Sequence, residues 1–304
     1  MKKIAFVFPG QGTQYPGMGK SLYESNRIFK KRVDEADALV PFDLKAVMFY
    51  SRAIHETRYA QVALYVMECA LVDVLKEEGI EPHGTAGLSI GEYAALYTAR
   101  VLDFETGLKV VVKRGELMHA SAEKNDTAML AMLGTFTQAE KIEEAIEDVY
   151  IANHTMKKQV VLAGSKDALK EAEVFGKSLG VKRFIPLDTA AAFHTPYMRD
   201  ARTAFASFLK DIPFNEPDIP LYLNTTGNRH EGDLKSIMIK QMASPVFFHS
   251  MIKRMIEDGF TYFLEAGPKR TLATFIRKTD RGVDVLSDIE TDSLETVLKP
   301  LRSE

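Results

Sequence analysis

The sequence predicts an α/β protein, a large domain on a parallel sheet interrupted by a small α+β unit, and three observations carry that expectation. Apolar runs of strand length alternate with longer stretches of helical period, a β-α-β-β-α-β order breaks in after residue 126, and the α/β pattern resumes beyond residue 187. The large domain is therefore expected over residues 1–126 and 188–304, with the insert at 127–187. Composition agrees: 304 residues, 46% hydrophobic and 27% charged, suffice for a sizeable core in a body of two parts.

Residues 4–8, IAFVF, form a short run buried on both faces and closed by the tight PGQG loop. They are read as a first strand and not as a leader, because Pro9 and Gly10 end the run with no small-residue cleavage site. Helical periodicity occupies about 20–39 and 59–78. The second stretch contains YAQVALYVMECALVDVL, which Gln61, Glu68 and Asp73 interrupt, so it predicts a buried helix and no membrane span. The single cysteine, Cys69, falls within it; no internal disulfide can form, and a cytoplasmic location is expected.

A strand near 85–88 then leads into Ser89 and the helix IGEYAALYTA. Asp103 is placed to N-cap the next helix, in which Thr106 and Gly107 are weak points. In the insert, strands AMLAML, VYIAN, QVVLAG and KRFIPL alternate with helices TQAEKIEEAI and KDALKEAEVFGKSLG in the order of a ferredoxin-like unit. Beyond it come a helix opened by Pro196, a strand and turn in IPLYLNTTGN, and helices LKSIMIKQM and PVFFHSMIKRMIEDG. A strand-loop-helix, TYFLEAGPKRTLATFI, follows, then a strand near 283–286 and a last helix.

A net charge of -3 lacks the basic excess expected of a nucleic-acid binder. GPKRT lacks the earlier glycine of a phosphate-binding P-loop and no metal-ligand cluster stands out, so no cofactor and no metal are predicted, and a monomer is the default expectation.

The stretch GLSIGEY carries chemistry. A serine hydroxyl is a weak nucleophile that needs a base within reach and a turn that holds it clear of its neighbours. Gly87-Leu88-Ser89-Ile90-Gly91 fits the G-x-S-x-G elbow between a strand and a helix, the turn at the nucleophile of α/β-hydrolase-like domains. The Ile90 amide, at the helix N-terminus, is then directed to where an oxyanion would form. Of seven histidines His194 is preferred as the base, since small residues lead up to it in TAAAFHTPYM and a helix opens just after it.

Six motifs stand in order along the chain: FPGQGTQ, GLSIGEY, KRGELM, AAFHTPYM, KQMASPV and LEAGP. Together they resemble the malonyl-CoA:acyl carrier protein transacylases, an acyltransferase family of fatty-acid and polyketide synthesis, over nearly the whole chain. The resemblance implies an α/β-hydrolase-like large domain with a ferredoxin-like insert. It implies that Ser89 is the nucleophile, His194 the base and then the acid, and the backbone carbonyl of Gln241 the group that orients the imidazole. It implies an oxyanion hole from the amides of Gln11 and Ile90, and Arg114 as partner of the malonyl carboxylate through a two-pronged contact that lysine could not copy. Phe193 matches a position where a bulky ring accompanies preference for malonyl over branched units.

The chain departs from the family pattern at Leu88, where histidine is common, and in NHTMKKQVV, where only Asn153 and Gln159 match. Malonyl-CoA and an acyl carrier protein are the implied substrates, with Lys182, Lys269 and Arg277 as candidates for a basic rim. Hydrolysis of the acyl-enzyme by water, or a silent docking role, are the alternatives. Arg114 disfavours hydrolysis of neutral acyl groups, because a buried arginine would then lack a partner.

Overall fold

The computed structural model describes residues 3–188 and 191–287, together with 289 and 299. The chain begins with β1 (Ile4–Phe8), α1 (Lys20–Ser25), α2 (Arg27–Leu39), α3 (Leu44–Tyr50), α4 (Thr57–Glu77), β2 (Gly84–Gly87), α5 (Gly91–Thr98) and α6 (Phe104–Lys124). It continues through β3 (Thr127–Met132), α7 (Phe136–Ala145), β4 (Val149–Met156), β5 (Gln159–Ser165), α8 (Lys166–Ser178) and β6 (Phe184–Pro186). The last part holds α9 (Arg199–Leu209), β7 (Leu221–Leu223), β8 (Asn228–Arg229), α10 (Leu234–Gln241), α11 (Phe248–Glu257), β9 (Tyr262–Glu265), α12 (Thr271–Thr279) and β10 (Asp284–Leu286).

Two sheets form among the described residues, so the chain is mixed α/β with one largely parallel and one antiparallel sheet. The larger runs β10-β9-β1-β2-β7-β8, parallel except for the edge strand β8. The smaller, β4-β5-β3-β6, is antiparallel throughout. Ala5 to Phe8 are fully buried, which is why β1 reads as an unbroken apolar run and not as an alternating one. The two sheets meet where β4 pairs with the segment before α11: the His154 amide donates to the Val246 carbonyl, and the Val246 amide to that of Ala152.

Helix α4 is buried on every side from Ala60 to Val72 and lies among α2, α5 and α6. Its polar residues Gln61 and Glu68 and its thiol Cys69 are all inside. The Asp103 carboxylate accepts from the Thr106 amide and caps α6. Gly107, a weak point by propensity, has a packing reason: a Cβ there would stand 2.1 Å from the Tyr65 hydroxyl oxygen, which donates to the Phe104 carbonyl.

One expectation is corrected. The periodic stretch 20–39 is two helices, because the Asn26 side chain accepts from the Ile28 and Phe29 amides and starts α2 afresh. Helix α3 and the 3₁₀ turn at Arg52–His55 fill a region in which periodicity marked nothing. The expected last helix falls outside the described residues.

Candidate active site

The elbow connects β2 to α5, and its backbone explains its glycines. Ser89 takes φ 55°, a left-handed conformation rare for a residue with a side chain. Neither flanking glycine has positive φ; each is required by close approach. A Cβ on Gly87 would lie 2.1 Å from the Gly91 carbonyl carbon, and one on Gly91 would lie 2.3 Å from the Phe8 carbonyl oxygen. The elbow is thus folded onto itself and pressed against the end of β1, where the Leu88 amide also donates to Phe8 O at 2.9 Å.

Asn224, in the turn after β7, braces the turn from the other side. Its Oδ1 accepts from the Ser89 amide at 2.7 Å, and its Nδ2 donates to the Gly87 carbonyl at 2.5 Å. Its own amide donates to Glu92 Oε1 at 2.8 Å. The turn around the left-handed serine is held by two hydrogen bonds, one to Ser89 and one to Gly87, from a residue far along the chain.

His194 also takes a left-handed backbone, φ 62°, and is 3% exposed. Its loop is tied to the start of β3, where Thr127 Oγ1 accepts from the Ala192 amide, and is closed by a bond from Thr195 Oγ1 to Ala192 O. Nε2 stands 2.7 Å from Ser89 Oγ, and Nδ1 stands 2.9 Å from the Gln241 carbonyl. A carbonyl only accepts, so Nδ1 carries the hydrogen, and Nε2 presents a lone pair to the serine hydroxyl. Burial, then the nearby Arg114 charge, push the imidazole down to about 4, against the opposing hydrogen bonds to backbone at Gln241 and Ser244. At neutral pH it is an uncharged base.

Arg114 projects from α6 and is fully buried. Nη1 donates to Gln61 Oε1 at 2.6 Å; Nη2 donates to Gln241 Oε1 at 2.9 Å and reaches Ser89 Oγ at 3.3 Å; Nε has no partner among the described residues. The Tyr93 ring lies 5.3 Å from the guanidinium carbon. Two amide oxygens therefore occupy positions suited to the two oxygens of a carboxylate, beside the serine.

Gln241, at the end of α10, serves four neighbours. Besides its carbonyl to His194 and its Oε1 to Arg114, its Nε2 donates to the Ser89 carbonyl at 2.8 Å and to Glu92 Oε2 at 2.7 Å. Glu92 is buried, and that burial raises its carboxyl to about 7, with the Asn224 and Gln241 hydrogen bonds and the Arg114 charge opposing.

The PGQG loop sits against the elbow: a Cβ on Gly10 would lie 2.8 Å from Leu88 O, and Thr13 Oγ1 closes the loop onto Gly10 O at 2.8 Å. Neither the Gln11 nor the Ile90 amide donates to a carbonyl or side chain of the described residues. The Gln11 side chain turns away to Thr57 Oγ1. Phe193 is buried in the main core and stands outside the hydrogen-bonded cluster. Of the basic candidates, Lys269 reaches the PGQG loop through Gly12 O at 3.3 Å, Arg277 turns to Val285 O at 2.6 Å, and Lys182 is exposed.

The structure thus brings Ser89, His194, Arg114 and Gln241 into one cluster. Motif reading left out Gln61, Glu92 and Asn224. Glu92 alone carried a local signal, as the carboxylate three places after the serine in GLSIGEY. The other two come from distant segments.

The acyl transferase domain family matches residues 5–297 of the chain. The chain is 34% identical to the malonyl CoA-acyl carrier protein transacylase of Bacillus subtilis (strain 168) over 313 aligned positions, covering 100% of this chain and 99% of that one. The crystal structure of malonyl CoA-acyl carrier protein transacylase from Clostridium perfringens superposes with a TM-score of 0.93 at 30% identity, covering 99% of this chain and 97% of the other. A malonyl-transacylase in complex with its type II polyketide-synthase acyl carrier protein superposes with a TM-score of 0.92 at 28% identity, covering 98% and 100%.

Proposed function

The chain belongs to the acyl transferase domain family, and from that premise we propose that it moves a malonyl group from malonyl-CoA to the phosphopantetheine thiol of an acyl carrier protein. The observation that carries this reading is a buried, two-pronged cation 3.3 Å from the nucleophilic oxygen. Such a site suits a thioester whose far end is a carboxylate, and it suits a neutral acyl chain poorly. The hydrolase alternative is not favoured.

In the proposed first half-reaction Ser89 Oγ attacks the malonyl thioester carbon while His194 Nε2 takes the hydroxyl proton. The resulting imidazolium is supported by the Gln241 carbonyl at Nδ1. The amides of Gln11 and Ile90, both free to donate, would receive the oxyanion, each worth about 3–4 kcal/mol in comparable acyl-transfer sites. Collapse breaks the carbon–sulfur bond, and the Nε2 proton passes to the departing CoA sulfur. In the second half-reaction the carrier thiol gives its proton to His194 and attacks the malonyl-serine ester, and Ser89 regains a proton as it leaves. Atoms and charge balance with no cofactor.

The two-sheet body is read as an α/β-hydrolase-like domain over 1–126 and 188–304 with a ferredoxin-like insert at 127–187. The insert's strand order, β4-β5-β3-β6 with both helices between strands, supports the second assignment. No helix among the described residues is long and apolar enough to cross a membrane. With one cysteine and relatives that act in acyl-carrier chemistry, a monomer working in the cytoplasm is proposed. Phe193 is proposed to limit α-branched substrates and Lys269 to meet the acidic carrier. Incubation with malonyl-CoA and an acyl carrier protein, followed by mass spectrometry, tests the reading: malonyl on the carrier supports it, and free malonate without loaded carrier refutes it.

A further inference from the structure

Among the described residues Arg114 is a buried cation with no carboxylate as direct partner: it donates to two amide oxygens and a hydroxyl. An uncompensated buried charge is costly, so a counter-charge is needed nearby. The hydrogen bonds lead to one. Gln241 accepts from Arg114 through Oε1 and donates through Nε2 to Glu92, so a single amide separates cation from carboxyl. The amide orientation is settled from both ends, since guanidinium can only donate and an ionised carboxylate can only accept. Both Glu92 oxygens accept hydrogen bonds, from the Asn224 amide and from Gln241, as an ionised carboxylate requires.

We propose that Glu92 is the counter-charge of Arg114 before substrate binds and the positioning residue for Gln241, and that it takes a proton from solvent when a malonyl carboxylate reaches Arg114. This rests on the malonyl-transfer reading above. Before binding, Arg114 and Glu92 sum to zero above about pH 7. The substrate carboxylate would leave one excess negative charge in a buried site, and protonation of Glu92 restores neutrality: malonyl carboxylate, one proton and the Arg114/Glu92 pair become an ion pair at Arg114 and a neutral Glu92. The group is poised for this, because burial already lifts it to about 7 against the help of Arg114, and a substrate carboxylate removes that help. Arg114, from α6, is the charge that faces Glu92; Tyr93 on α5 and His194, beyond Gln241, are the titratable groups alongside. Gln241 and Asn224, which hydrogen-bond Glu92, are neutral, as is Gln61 on the far side of Arg114.

The test counts protons. The full-length protein is mixed with malonyl-CoA in weak buffer containing a pH indicator, and adduct on Ser89 is counted by mass spectrometry. Above about pH 7 the wild type is expected to take up close to one proton per adduct, with KM for malonyl-CoA rising toward about tenfold per pH unit. Glu92→Gln is expected to load with no uptake and a flat KM profile. Should that variant fail to fold, Glu92→Asp carries the test through a displaced midpoint of uptake; an unchanged midpoint overturns the proposal. Wild-type adduct formed without uptake, or equal uptake by Glu92→Gln, overturns the proposal alone. Absence of any wild-type adduct overturns the transfer reading together with it.

Discussion

Asn224→Ala removes the brace of the elbow and nothing of its chemistry. The side chain is fully buried and satisfies two backbone groups, the Ser89 amide at 2.7 Å and the Gly87 carbonyl at 2.5 Å. A buried group stripped of its partner costs about 1–3 kcal/mol, so the two together set a range of about 2–6 kcal/mol. Relaxation of Ser89 out of its left-handed conformation returns about 1–2 kcal/mol. The net expected loss spans about 0–5 kcal/mol and centres on about 2–3 kcal/mol. Relaxation also displaces Oγ from its 2.7 Å contact with His194, and misplacement of reacting atoms by about 1 Å costs on the order of a hundredfold in rate. KM for malonyl-CoA should change little, since the Arg114 donors are untouched. Urea unfolding followed by circular dichroism reads the first effect, and rapid-quench mass spectrometry of the malonyl-serine adduct reads the second. A variant within about 0.5 kcal/mol of wild type that loads within twofold of its rate refutes the reasoning. Asn224→Asp keeps the acceptor for Ser89 but sets a buried carboxylate oxygen against the Gly87 carbonyl and beside Glu92, and is expected to cost at least as much as the alanine variant at neutral pH.

Ser89→Ala should yield no covalent malonyl adduct, and an adduct that persists on the intact protein would place the nucleophile elsewhere. Arg114→Ala should depress loading of malonyl far more than of acetyl, on the order of a hundredfold against a few-fold, for loss of a charge-assisted pair of about 3 kcal/mol; equal losses would remove the carboxylate-pairing role. Gly91→Ala forces a Cβ to 2.3 Å from a backbone oxygen and should abolish soluble folded protein or shift the elbow, whereas Gly12→Ala, with open space around its Cβ position, is limited to the strain of φ 103°. The folded His194 titrates near 4 and the unfolded one near the ordinary 6.5, so the unfolded chain binds the proton first on acidification. Its contribution to stability is present above about pH 6.5 and is lost as pH falls toward 4; His249, also pushed to about 4 by burial, adds to the same slope. Glu92, lifted to about 7, acts with the opposite sign over the same window, so the imidazole slope is read as a difference: the urea midpoint of the wild type should fall relative to that of His194→Ala between pH 7 and 4, and a constant difference would contradict a buried neutral His194.

What could be read from the linear chain was whatever neighbours along it decide. The apolar run of β1, the cap at Asp103 and the alternation of strand and helix from β3 to β6 each depend on residues within a few positions of one another. The G-x-S-x-G spacing likewise announced a tight turn, because crowding of Gly87 on Gly91 is a contact across four residues. The break at Asn26 escaped, since an amphipathic period continues across it while one side-chain acceptor redirects the backbone.

The wiring of the site lay beyond that reach. Asn224 meets Ser89 across 135 positions, Gln241 meets Glu92 across 149 and Arg114 across 127, and Gln61 meets Arg114 across 53. An asparagine or glutamine in a linear sequence gives no sign of its hydrogen-bond partner. Only the docking of α4, α6 and α10 around the elbow makes burial complete, and burial is what turns these amides from surface groups into obligatory partners. The sequence by itself determined the elements and the tight turn at Ser89; tertiary structure alone decided which distant polar groups meet there, because desolvation is a property of the packed molecule and not of any segment.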